Sequence, residues 1–197
     1  MSVALRDTAK SACPVLKIPS LHRDDRTMVL INGGSFYAAC RGQGLVVDYR
    51  RLRDAFQDAC HLVRINFYLA LYEGDANEPV TNLLTWMSLN GFVIRSRRVP
   101  WKQVNADGSP RQKPRVDLDV EMAVDMLSAS DAIDHIVMFT SSWNIVGAVE
   151  AVQRKGIRVT CVSTTDRVAG GAIDEDLHRQ VDQFVDINDL RSVIVRV

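Results

Sequence analysis

The sequence predicts a doubly wound α/β domain, a mainly parallel sheet sandwiched between helices. Two observations predict it. From "TMVLIN" onward, apolar runs alternate with stretches of helical periodicity, the pattern of strands joined by crossover helices. The chain also has 197 residues, 47% of them hydrophobic and 24% charged, which suits one well-cored domain of ordinary composition.

Residues 1–26 carry Lys10, Pro14, Lys17, Pro19, Arg23 and Arg26 without an apolar run of signal-peptide length, so they are expected as a flexible N-terminal arm. Residues 27–197 are expected as a single domain. Its first strand is 27–32, followed by helices at 36–40 and 48–59 and a strand at 62–72. "EGDANEP" then turns the chain, with Pro79 pre-set for the first turn of a helix at 79–89. "NG" at 90 and 91 ends that helix, because both residues tolerate positive φ. A strand at 92–98 leads into the irregular segment 99–115, which holds three prolines and a DG turn; a loop of that length in a compact domain is usually functional or mobile. A helix at 117–128, a strand at 135–140 and a helix at 144–155 follow, the last ended by "KG". Strands at 157–163 and 184–187 flank a helix at 174–181. The final "DLRSVIVRV" fits either an added strand or an oligomer contact, so self-association stays open.

Lys plus Arg number 24 and Asp plus Glu number 24. No global field therefore draws the protein to nucleic acid or membrane, and any such attraction has to come from local clusters. Nothing approaches the roughly 18 consecutive apolar residues of a spanning helix, and no membrane partner is expected. Cys13, Cys40, Cys60 and Cys161 lack CxxC spacing, which argues against a zinc site or disulfide scaffold and for reduced thiols in a cytoplasmic setting.

Chemistry in open parallel sheets collects beyond the carboxyl ends of the strands. Two such ends are readable, "MVLINGGSFY" and "IVMFTSSWNI". The first sets Asn32 and two glycines between strand and helix, a place for an anion or simply a tight turn. The second, with Ser142, Trp143 and Asn144, holds no acid or base. In "RVDLDVEMAVDML", Asp117, Glu121 and Asp125 follow at i, i+4, i+8 and share a helical stripe. Such a stripe suits magnesium or manganese, and equally a solvated acidic face. Arg95, Arg97, Arg98, Lys102, Arg111, Lys113 and Arg115 surround Trp101 and face one acid, Asp107. Cations around an aromatic ring are the usual footprint of single-stranded RNA.

The first strand and turn "LINGGSFYAA", together with "LYEGDANEPVTNLLTWMSLNGF", "DVEMAVDML", "DHIVMFTSSWNIVGAVEAVQRKGIRVTCVST" and "LHRQVDQFVDINDL", resemble the NYN family in its bacterial LabA-like branch. That branch belongs to the PIN-like group of metal-dependent ribonucleases. The resemblance covers roughly residues 27–190 and rests on the order and spacing of the pieces. It implies a PIN-like, Rossmann-like fold and carboxylates that gather Mg or Mn ions to activate water against an RNA phosphodiester.

Carried over by position, Asp119, Glu121 and Asp125 look like the catalytic helix acids, with Asp119 and Asp125 the metal ligands. The other expected acids are missing: Asn32 stands where the first-strand Asp is typical, and Ser142 and Asn144 stand in the turn where Ser-Gly-Asp-x-Asp is typical. Asn keeps the shape of Asp but not the charge a hard cation seeks. The resulting expectation is a nuclease-fold protein that binds RNA through a weak or inactive metal site, needing no cofactor if inactive. The alternatives are an active Mg/Mn-dependent endoribonuclease working with Asp119, Glu121 and Asp125, and a non-catalytic domain with a protein partner. A Rossmann-type nucleotide-binding domain is disfavoured, since neither GxGxxG nor a P-loop occurs.

Overall fold

Strand β1 (Arg26–Asn32) shows why the sheet is central. Val29 and Ile31 point into one core, while Met28 and Leu30 point into the other. A strand buried on both faces reads as a continuous apolar run. The computed structural model describes residues 16–73, 78–101, 109, 111, 112, 114, 116–168 and 170–195. After β1 come α1 (Gly33–Gly42), α2 (Tyr49–Ala59), β2 (His61–Tyr72), α3 (Glu78–Leu89) and β3 (Phe92–Val99). The second half holds α4 (Asp119–Ala129), β4 (His135–Phe139), a 3-10 turn (Trp143–Ile145), α5 (Val146–Gln153), β5 (Arg158–Ser163), α6 (Glu175–Gln180) and β6 (Gln183–Asp186). The chain closes with a second 3-10 turn (Ile187–Leu190) and α7 (Arg191–Ile194).

Six parallel strands lie in the order β3-β2-β1-β4-β5-β6. Helices α1, α2, α3 and α7 cover the face of Val29, Val137 and Phe139, whereas α4, α5 and α6 cover the face of Leu30, Ile136 and Met138. Strand order reverses between β1 and β4, so their carboxyl ends diverge there and open a crevice.

Four local readings differ from the sequence. Residues 16–25, expected within the arm, are packed: Leu16 and Ile18 are buried, and Arg158 ties this segment down through Ser20 O and Asp25. Residues 1–15 lie outside the described part, as do Lys102, Lys113 and Arg115. Helix α4 starts at Asp119, because Leu118 takes a non-helical N-cap conformation (φ −118°, ψ 34°). That leaves Asp117 off the helix and breaks the expected acidic stripe. Among the described residues the C-terminal segment adds no strand to the sheet; it docks at the start of α2, with Asp48 N–H donating to Ile194 O at 2.7 Å and Val195 bridging Val47. Helix α1 begins three residues early. Gly33 permits this, since a Cβ there would lie 2.9 Å from Phe67 Cζ and from Tyr68 O.

At the opposite end of the sheet from the crevice, His135 is fully buried, with Nε2 2.9 Å from Thr160 Oγ1 and no partner for Nδ1. Burial, helped by the charge of Arg158, lowers its pKa to about 4. The unfolded chain takes up a proton near pH 6.5 that the folded one refuses, so stability is full above that pH and declines from there toward about 4. The decline should reach roughly 2 to 3 kcal/mol, and His135→Gln should flatten it in urea titrations run across that range. Asp134, held down to about 2 by Arg26, acts only at lower pH.

Candidate functional site

The crevice at the switch point is a cleft of about 1040 Å³. Three segments meet over its floor: the end of β1, the start of α4 and the turn after β4. Asp119 sits where they meet. It is 2% exposed, and it lies in the first turn of α4, where the helix dipole favours a carboxylate.

The positions that lack the expected acids all turn to Asp119. Asn32 Nδ2 donates to Oδ1 at 3.0 Å, while Ser142 Oγ donates to Oδ2 at 2.6 Å and Asn144 Nδ2 donates to the same oxygen at 3.0 Å. The orientation of Asn32 is fixed from its other side, since its Oδ1 caps α1 by accepting from Ser35 N–H at 3.1 Å. An aspartate here could cap with one oxygen and ligate with the other. Asparagine keeps the cap and presents N–H where a ligand oxygen would stand. Ser142 is ordered by Thr140 Oγ1, which accepts its N–H, and in turn accepts Asn144 N–H.

Asp125 and Glu121, expected beside Asp119, belong to a different cluster. Asp125 Oδ2 accepts from Asn66 Nδ2 (2.9 Å), Tyr68 Oη (2.8 Å) and Arg95 Nε (3.0 Å), and its Oδ1 accepts from Arg95 Nη2 (3.2 Å). Burial raises the pKa of Tyr68, so the phenol stays a donor. Glu121 pairs with Arg97. Helix α4 is thus clamped to β2 and β3 by carboxylates already matched to guanidinium groups. Asn66 and Tyr68 escape notice in the sequence because both lie inside an apolar strand; their spacing of two, which sets both on one face, is the signal that could have found them.

The donors turned to Asp119 are the opposite of what a divalent cation seeks at that carboxylate. Hard cations need converging oxygens, yet amide and hydroxyl hydrogens surround Asp119. Among the described residues no three acidic, histidine or cysteine side chains converge in one cluster.

Farther out, the cleft is lined by Asp117, Asp174, Glu175 and Asp176, with Arg167 bound to Glu175. The loop after β5 builds this wall. Gly171, at φ +77°, brings its backbone so close to α1 that a Cβ would lie 2.5 Å from Ala39 N. The predicted cations lie elsewhere, with Arg95, Ser96, Arg97 and Arg98 forming an exposed run on β3, the edge strand, and Arg111 exposed beyond it. Trp101 is partly buried; its ring meets Tyr72 edge-on at 6.2 Å and its Nε1 donates to Gln112 O.

Comparison with known proteins agrees with this architecture. The NYN domain model matches residues 26–188. Over 172 residues the chain is 27% identical to the low amplitude and bright protein LabA of Synechococcus elongatus, covering 87% of this chain and 89% of that protein. A crystal structure of a protein of unknown function from Vibrio parahaemolyticus superposes with a TM-score of 0.62 at 18% identity, covering 88% of this chain and 98% of that one; it shares the fold. Among the described residues no helix is long and apolar enough to cross a membrane.

Proposed function

The chain belongs to the NYN domain family, and from that premise we propose that it is a nuclease-fold protein that binds single-stranded RNA without hydrolysing it. The observation that carries this reading is the ring of donors on Asp119: Asn32, Ser142 and Asn144 satisfy the carboxylate that would otherwise recruit a metal ion. Hydrolysis by Asp119, Glu121 and Asp125 together is not favoured, because the latter two carboxylates are engaged by Arg97 and Arg95. Calorimetry with MnCl2 tests the reading. Millimolar or weaker binding is expected, and two tight sites, or RNA cleavage lost in Asp125→Asn, would reverse it.

The RNA path in this reading follows the β3 edge and avoids the acidic cleft, where phosphate would meet carboxylates. Neutralising Arg97, Arg98, Lys102 and Arg111 is expected to weaken binding with little dependence on base sequence, since phosphate contacts carry no sequence information. The slope of log affinity against log salt should fall by up to about 0.7 per lost contact. Filter binding across a salt series checks both. No RNA binding by the intact protein at low salt would remove this part of the reading.

A further inference from the structure

We propose that the outer face of α4, with Trp143 at its end, docks a segment of a partner protein that is apolar along its length and basic at one end. Nine large hydrophobic side chains are exposed among the described residues; three share one stripe of α4, and a fourth stands in the turn that packs against that helix. Val120 (72% exposed), Val124 (54%) and Leu127 (42%) lie at i, i+4, i+7 on α4, the spacing of a helix seam. Trp143, 66% exposed, stands in the turn whose neighbours Ser142 and Asn144 hold Asp119, the residue before Val120 in the chain. Scattered surface apolar residues are ordinary, but exposed apolar side chains at the spacing of a helix seam, with an exposed aromatic residue in the adjoining turn, point to an interaction surface.

Charge decides the occupant. Nearby charges are matched, Glu121 on α4 with Arg97, and Glu150 with Arg154 on α5, the helix packed against α4. At the Trp143 end the stripe opens on the cleft, where Asp117, Asp119, Asp174, Glu175 and Asp176 stand against Arg167, with Arg179 pairing on α6. Among the described residues the excess there is negative. A segment seated on the stripe therefore gains from lysine or arginine at its cleft end, where a cation can also sit against the Trp143 ring. An acidic segment, or RNA, would meet repulsion at the same place. The surface meets the β3 edge through the Glu121–Arg97 pair, so peptide binding is measured without RNA.

The test uses the full chain and a fluorescein-labelled synthetic helical peptide with leucines at i, i+3, i+4, i+7 and three lysines at one end, beside a counterpart with glutamates for the lysines. Fluorescence anisotropy should show binding of the lysine peptide at least tenfold tighter than the glutamate peptide. Val124→Asp should weaken it at least tenfold while leaving the thermal melt unchanged, because Val124 is exposed. Asp117→Asn with Asp176→Asn should weaken it severalfold and reduce its salt dependence, and Arg98→Ala should have no effect. Equal affinity for the two peptides, or insensitivity to Val124→Asp, overturns the proposal. So does a dimer in sedimentation that Val124→Asp dissociates, which would assign the stripe to a second copy. Displacement of the peptide by single-stranded RNA in the Arg98→Ala protein would assign the face to nucleic acid instead.

Discussion

Asp119→Ala is expected to destabilise the domain by about 3 kcal/mol, the cost of leaving buried donors without an acceptor and losing a carboxylate at a helix N-terminus. Asn32 carries most of the penalty. It is 8% exposed and cannot turn away, because its oxygen caps α1; Asn144 is exposed and can rehydrate. For a domain of this size the loss corresponds to a drop of roughly 6 to 12 °C in melting temperature. Asp119→Asn should also be harmful despite its matching shape, since its amide nitrogen faces Asn32 Nδ2 on one side or Asn144 Nδ2 on the other, donor against donor. Thermal melts by circular dichroism in EDTA check both variants. A change below about 1 kcal/mol for each would mean that the three hydrogen bonds add little to the fold.

The triple variant Asn32→Asp, Ser142→Asp, Asn144→Asp should behave in the opposite way toward cations. Four carboxylates would share the volume now held by one carboxylate and three donors, and like charges a few ångströms apart cannot all stay ionised cheaply. In EDTA the variant should be less stable than Asp119→Ala, and manganese should restore it. Saturation at about 100 times the dissociation constant contributes about 2.7 kcal/mol. The parent should show no comparable manganese shift, and RNA cleavage is expected only in the triple variant. If the triple variant melts like the parent in EDTA, or manganese stabilises both equally, the donors are not standing in for a metal.

Most of the sheet was legible because buried parallel strands are continuous apolar runs and their helices carry a different period. "TMVLIN" and "HIVMFT" could hardly be anything else. Leu16 and Ile18 were not legible as core, since two apolar residues separated by Lys17 make too short a pattern to distinguish from a solvated arm. The positions of Asn32, Ser142 and Asn144 followed from strand ends and from the family resemblance. Their arrangement did not, because whether an amide presents oxygen or nitrogen depends on what its other end binds, here Ser35 N–H. The acidic stripe failed for a related reason. Periodicity assumes an unbroken helix, and Leu118 interrupts it one residue before Asp119. The wall formed by Asp174, Glu175 and Asp176 is the start of α6, set in place by a preceding loop whose Gly171 lies close against α1, a contact no local pattern announces.

The ring of donors around Asp119 also couples its three positions to one another. A lone aspartate at 142 or 144 removes one stabilising hydrogen bond and sets a second carboxylate beside Asp119. A single such change therefore costs stability on its own, and acids at these positions are expected to be tolerated only when several are changed together and a cation is there to share.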